Sequence, residues 1–276
     1  MDLKKIRIIF SDIDLTLLPA TGKDLHPTAR LICRLIKEGY TFVPCTGRGT
    51  ANIPREIWDI PGIDHVITGN GALVVDRKTG AYARSARLSA DLSREILAFL
   101  RSYEGGSAFC YRDGLHYMDN FRPRPFVPSG YSSMDAWIAS VRPMDLEHFL
   151  ENGEPFDKMG FFSFDDGVKK TVRAAFEKQP FYDRLFLSSS GPWNIEINRR
   201  DATKGAAARW LLDRLGFTPD QMLAAGDNLN DLSMLELAGV SIAPENALAP
   251  VRAAVTEVVP DCREDGVENF FRRLLS

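Results

Sequence analysis

Ile6-Arg7-Ile8-Ile9-Phe10-Ser11-Asp12-Ile13-Asp14-Leu15-Thr16 carries a short apolar run that ends in two aspartates. Residues 6–10 have the length and aliphatic character of a strand buried on both faces of a parallel sheet. If the backbone stays extended beyond them, Asp12 and Asp14 project to one side, because side chains two apart share a face. Two like charges at one spot oppose folding, yet they suit metal-assisted chemistry in which one carboxylate attacks and the other handles a proton. Taken alone, the motif is equally compatible with a solvated loop in which Thr16 caps the next turn of chain.

A second acidic pair lies near the other end of the chain. Gly226-Asp227-Asn228-Leu229-Asn230-Asp231 follows another apolar run, residues 222–225. Asp227 and Asp231, four apart on a helical turn, repel unless a cation intervenes, although acids at a helix start are also favoured by the helix dipole. Crowded carboxylates at strand ends, with oxygen as the only donor, point to Mg²⁺ rather than zinc.

Outward from these two motifs, strand and helix signals alternate. Strand 6–10, a helix over 27–38 and strand 41–44 form a βαβ unit, with Pro27 in the first helical turn and Gly39 at the exit. Strand 66–68 leads into the turn Gly69-Asn70-Gly71 and on to strand segments 72–75 and 81–83. At the other end come a helix over 203–215, strand 222–225, a helix over 229–238, strand 240–243 and a helix over 266–275. This order predicts an α/β fold, a doubly wound, mainly parallel Rossmann-like core whose site lies outside the carboxyl ends of the strands. Thr46 and Lys204 are 158 residues apart, too far for a loop within one sheet. Between them run a helix over 89–103, a hairpin at Asp113-Gly114, a proline-rich stretch 123–128, a helix over 134–140, strand 159–164, a helix over 168–177, and strands 184–187 and 194–197. The reading is a core of residues 1–84 and 188–276, with an inserted α+β cap domain over 85–187.

Composition narrows the partners. A formal charge of -3 argues against a phosphate-backbone footprint, and therefore against nucleic acid. The sequence offers no apolar run of membrane-spanning length and no signal-peptide core at its start, so the expectation is a cytoplasmic protein with no membrane partner. Cys33, Cys45, Cys110 and Cys262 form no CxxC or Cys/His cluster and read as apolar fillers.

Two further positions complete the pattern. Lys204 opens a helix, where its charge opposes the dipole, and an anion in need of a positive partner would explain it. Thr46-Gly47-Arg48, after a strand, offers a hydroxyl and backbone amides able to hold phosphate oxygens. Each alone is more often an ordinary surface lysine or turn threonine.

With DIDLT at 12–16, TGR at 46–48, Lys204-Gly205 after Ile195-Glu196-Ile197, GDNLND at 226–231 and TGNGA at 68–72, the chain resembles the haloacid dehalogenase superfamily of aspartate-nucleophile phosphatases. Within it, the resemblance is to the Cof-type branch with a large α/β cap. Leu15 stands where the first motif of that family most often has glycine. The resemblance implies Asp12 as nucleophile forming an aspartyl-phosphate, and Asp14 as the acid and then the base. It implies Thr46, Gly47 and Lys204 as phosphate-binding groups, and Asp12, the Asp14 carbonyl and Asp227 as ligands of Mg²⁺, with Asp231 and Asn230 in support. Asn70, Arg48, Arg112, Trp193 and Asn194 are candidate substrate contacts, as are Asp113 and Tyr117. The expected activity is Mg²⁺-dependent hydrolysis of a small phosphorylated metabolite, a sugar phosphate above all. The alternatives are a phosphotransferase or mutase on the same machinery, or a non-catalytic sugar-phosphate-binding regulator.

Overall fold

Strand β1 (Ile8–Ser11) is buried along its whole length, as a central parallel strand must be. The structure, a computed structural model, describes residues 2–119, 141–189 and 193–276. The expected proline-rich stretch and the helix over 134–140 lie outside the described residues. The chain divides into two compact units, Met1–Gly47, Ile53–Ser85 and Thr203–Ser276 in the first, and Arg48–Asn52 and Ala86–Ala202 in the second.

In the first unit, helix α1 (His26–Lys37) carries Pro27 in its first turn and buries Leu31, Ile32 and Leu35. It returns the chain to β2 (Thr41–Pro44), which pairs parallel with β1. After the short helix α2 (Arg55–Trp58), strands β3 (His65–Thr68), β4 (Leu73–Asp76) and β5 (Tyr82–Ser85) form an antiparallel sheet of their own. A parallel bridge from Cys45 to Ile67 sets β3 beside the chain leaving β2.

The second unit begins with helix α3 (Ala90–Arg101), capped by the Ser89 side chain. Strands β6 (Ser107–Arg112) and β7 (Leu115–Asp119) make the expected hairpin, and Asp113 and Gly114 both take the positive φ that its turn requires. Next come β8 (Arg142–Met144), α4 (Glu147–Glu151), β9 (Lys158–Phe162), α5 (Asp166–Phe176), β10 (Leu185–Ser188) and β11 (Asn194–Arg199). Among the described residues the sheet order is β10-β11-β9-β6-β7-β8. Alternation along the strands sends Ala108, Cys110, Met159, Phe161, Ile195 and Ile197 to the helix-covered face, and Phe109, Tyr111 and Phe162 to the other. Residues 188–202, assigned from sequence to the core, need correction. β11 is an interior strand of this sheet, bonded to β10 on one side and β9 on the other, so this unit continues to Ala202.

The chain returns to the first unit in α6 (Lys204–Leu215), which Gly216 ends in the left-handed conformation at φ 75°. There follow β12 (Met222–Ala225), α7 (Leu232–Leu235), β13 (Val240–Pro244), α8 (Ala249–Ala254), β14 (Glu257–Val259) and α9 (Gly266–Arg272). The parallel sheet runs β14-β13-β12-β1-β2. Ile9 joins α1 and α9 in one core, while Ile8 and Phe10 join α6 and α7 in another. Helices therefore cover both faces, and the sheet is doubly wound. β1 has β2 on one side and β12 on the other, so the winding reverses there and opens a crevice at the carboxyl ends of β1 and β12. Among the described residues no helix is long and apolar enough to cross a membrane.

Candidate active site

Both acidic motifs leave the sheet at that crevice. Asp12 follows β1 and donates its backbone N–H to the carbonyl of Ala225, the last residue of β12, at 2.9 Å. The chain then turns rather than continuing extended, with Leu15 N–H donating to the Leu18 carbonyl at 2.7 Å. Leu15 takes φ 58°, and its carbonyl accepts from Asn246 Nδ2 at 2.8 Å. The loop thus holds a glycine-like backbone with a leucine in place, at a steric cost of about 1–2 kcal/mol. Thr16, fully buried, donates its hydroxyl to Asp227 Oδ1 at 2.9 Å across 211 residues of sequence.

Lys204 lies between the two motifs. Its side chain is wholly buried, and Nζ donates to Asp12 Oδ1 at 2.6 Å and to Asp231 Oδ1 at 2.5 Å. Thr203 caps α6 by accepting from Ala206 N–H, so the helix starts with Lys204 already inside the site. Asp231 does not cap α7. Its second oxygen accepts from the backbone N–H groups of Asp227 at 3.1 Å and Asn228 at 3.0 Å, which folds the GDNLND loop around it. Gly226 makes that fold possible, since a Cβ there would lie 2.5 Å from Asp231 Cβ.

Thr46, also buried, leaves β2 beside Asp12. The neighbouring Cys45 N–H donates to the Ser11 carbonyl at 2.8 Å, and Thr46 N–H donates to the Ile67 carbonyl at 2.9 Å. Asn230 Nδ2 donates to Asn70 Oδ1 at 3.0 Å. Cys45 is a buried free thiol whose pKa burial pushes well up, as fits a filler.

One carboxylate oxygen from each of Asp12, Asp227 and Asp231 lies within 4.8 Å of the others, and all three residues are buried. Burial pushes the Asp12 carboxyl well above its ordinary value; Lys204 pulls it down, while Asp231, Asp227 and Asp14 push it further up. Asp227 is pushed up to about 7, by burial and then by Asp231, against Thr16 and Lys204. Burial alone would depress the Lys204 ammonium, but Asp12 and Asp231 outweigh it and hold it charged. Three carboxyl groups around one ammonium are crowded enough to resist full ionisation, in a buried pocket that offers a cation oxygen donors. Those conditions fit a hard divalent cation.

The structure therefore brings Asp12, Lys204, Asp227 and Asp231 together, with Asp14, Thr46, Asn70 and Asn230 on the surrounding loops. The remaining predicted contacts belong to the second unit and have partners there. Arg48 donates to the Asn52 carbonyl at 2.6 Å. Arg112 pairs with Asp113 and Glu154 over the Phe149 ring, and Asp113 also pairs with Arg87. Tyr117 packs in the helix-covered core, Trp193 edges Phe164 at 6.1 Å, and the Asn194 carbonyl accepts from Ser189 Oγ at 3.0 Å. Sequence reasoning missed Thr16 as a partner of Asp227, although it continues the two-residue alternation of Asp12 and Asp14. It also missed Asn246, which sits just past the carboxyl end of β13, where the switch-point rule directs attention.

Comparison with known proteins identifies the family. The profile of the haloacid dehalogenase-like hydrolases matches residues 9–271. The chain belongs to that family. It is 26% identical to the Bacillus subtilis (strain 168) phosphatase YwpJ, covering 98% of this chain and 100% of the relative. To 5-amino-6-(5-phospho-D-ribitylamino)uracil phosphatase YwtE of the same strain it is 28% identical, covering 98% and 99%. A solved haloacid dehalogenase-like hydrolase from B. subtilis superposes with a TM-score of 0.81 at 25% identity over 98% of this chain and 100% of that one. The family and fold class expected from the motifs are thus borne out.

Proposed function

We propose that this haloacid dehalogenase-like hydrolase is a Mg²⁺-dependent phosphatase of small phosphate monoesters, sugar phosphates or similar metabolites, working through an aspartyl-phosphate on Asp12. The observation that carries the reading is the buried contact of Lys204 with Asp12 and Asp231, with Asp227 beside them. A purely structural cluster has no use for a third buried carboxylate that one lysine cannot neutralise. The name of YwtE, a phosphatase of a ribityl phosphate ester, supports the substrate class.

In this reading an Asp12 oxygen attacks phosphorus and the ester oxygen departs, taking a proton from Asp14. Asp14, now a carboxylate, accepts a proton from water as that water attacks the aspartyl-phosphate, which releases inorganic phosphate and restores Asp12. Lys204 and the hydroxyl and amides at Thr46 and Gly47 hold the transferring oxygens. Asp12, the Asp14 carbonyl and Asp227 would hold Mg²⁺, with Asp231 fixing the loop and Asn230 in support. The bound ion supplies charge neutralisation at the transferring phosphoryl group and favours the ionised form of Asp12. The second unit serves as the cap that selects the leaving group. The test is a panel of metabolite phosphates with Mg²⁺, scored for released inorganic phosphate. Transfer to an added sugar in preference to water would make the enzyme a phosphotransferase, and binding of sugar phosphate with no hydrolysis of any ester would make it a regulator.

A pH-dependent metal effect is also expected. Asp227 is raised in the folded state, so its contribution to stability is fully present below its ordinary value of 3.8 and is lost as pH rises through about 7. His116, held down to about 3 by burial and then by Lys158, changes in the opposite sense as pH falls below its ordinary 6.5. The clean measurement is therefore the rise in Tm on adding Mg²⁺, not Tm itself. At 100-fold excess over its Kd, Mg²⁺ stabilises by about 2.7 kcal/mol, or roughly 5–10 °C. That increment should be larger at pH 8 than at pH 5.5 and absent in Asp227→Asn. A larger increment at pH 5.5 would contradict the assigned ligands.

A further inference from the structure

We propose that Asn70 is a positioning residue that holds the loops of Thr46, Lys204 and Asn230 in one frame, acting through Asn230 rather than on substrate. The inference rests on the phosphatase reading of the site and adds a residue to it. Gly69, Asn70 and Gly71 take φ of 58°, 61° and 101°, three successive residues in the left-handed region. The backbone N–H of Asn70 donates to the Thr46 carbonyl at 3.1 Å. Its side-chain Oδ1 accepts from Asn230 Nδ2 at 3.0 Å, in the residue before Asp231. At Gly71 the backbone closes on α6, where a Cβ would lie 2.2 Å from the Thr203 carbonyl oxygen and 2.9 Å from Lys204 N. Arg84 also holds this residue, donating to the Gly71 carbonyl at 2.8 Å.

One turn thus touches the phosphate-binding threonine, the start of the lysine helix and the acidic loop. Nothing in the backbone demands asparagine at position 70, because glycine adopts this conformation with less strain. What asparagine adds is the amide that reaches Asn230. The Asn70 side chain is buried and turned to Asn230, and it is this contact, in place of the direct substrate contact suggested by sequence, through which the residue acts. Phosphoryl transfer depends on alignment of the lysine, the hydroxyl and the carboxylates, so loosening the frame should lower kcat more than it raises KM.

The test compares wild type, Asn70→Gly, Asn230→Ala and the double variant with Mg²⁺, on an ester that wild type hydrolyses, with Tm measured for each. Asn70→Gly should lower kcat roughly tenfold, equivalent to about 1.4 kcal/mol, with KM within about twofold of wild type. The double variant should be no slower than the slower single one. Wild-type kcat in Asn70→Gly, a rise in KM with kcat unchanged, or additive losses in the double variant would each overturn the proposal. If the glycine variant does not fold, Asn70→Ser is read by the same criteria. Orthovanadate, which mimics the geometry of the transferring phosphoryl group, gives a readout without turnover and should bind Asn70→Gly roughly tenfold more weakly. If wild type hydrolyses no ester, the phosphatase reading fails, and the positioning role is judged on vanadate alone, with equal affinity overturning it.

Discussion

Asp12→Asn should lower kcat by at least about 10⁴-fold while leaving the metal-free protein as stable as wild type or slightly more so. The first half follows from chemistry, since an amide oxygen neither attacks phosphorus competently nor forms an acyl-phosphate that water can resolve. The second half follows from the surroundings of the residue. The Asp12 carboxyl is buried and is pushed upward by burial and by Asp231, Asp227 and Asp14, against the opposing pull of Lys204. Replacing it with a neutral group of the same shape removes one of three buried carboxylates, and Lys204 keeps Asp231 at 2.5 Å. Phosphate release and thermal melting in Mg²⁺-free buffer check the two halves separately. Turnover at the wild-type rate would remove Asp12 as nucleophile, and a fall in Tm of more than about 5 °C would make it chiefly a structural partner of Lys204.

Much of this site can be read before folding, for a physical reason. Parallel strands bury their whole length, so they print as apolar runs, and functional groups must appear where those runs stop. Asp12 and Asp227 are legible in this way, as is Lys204 at the head of α6, where local energetics disfavour it. The hairpin at Asp113-Gly114 is legible because its turn needs two positive φ values. Contacts set only by tertiary packing are not legible. The hydroxyl of Thr16 reaching Asp227, the Asn70–Asn230 amide pair and the Asn246 bond to Leu15 join residues more than 150 positions apart. The end of the inserted unit escapes the sequence for a related reason. Ile195 and Ile197 alternate as well for one sheet as for another, and only hydrogen-bond partners decide that β11 belongs beside β9 and β10. Arg112 and Trp193 show the limit of choosing contacts by residue type, because both are engaged within their own unit.

Lys204→Met should damage both rate and stability, in contrast with Asp12→Asn. Methionine fills a similar volume without charge, so little cavity is created and the loss is electrostatic. It leaves Asp12 and Asp231 buried within 4.8 Å of each other and of Asp227, with no ammonium between them. Breaking a buried pair from one side in this way costs about 3–5 kcal/mol, or roughly 6–20 °C in Tm. The rate should fall by about 10²–10³-fold, the usual consequence of losing one charged or hydrogen-bonding stabiliser of a transferring group. The stability loss also has a predicted pH dependence. Asp12 and Asp227 already sit above their ordinary values, and removing the ammonium raises them further, so protonation can relieve the repulsion at low pH. The Tm difference from wild type should therefore narrow from pH 8 to pH 5.5, and Mg²⁺ at pH 8 should recover part of it, since the ion replaces missing positive charge but not the position of Nζ. A Tm equal to wild type at both pH values would show that the buried contacts of Lys204 contribute no net stability. Its place in the fold would then be explained by the substrate anion alone.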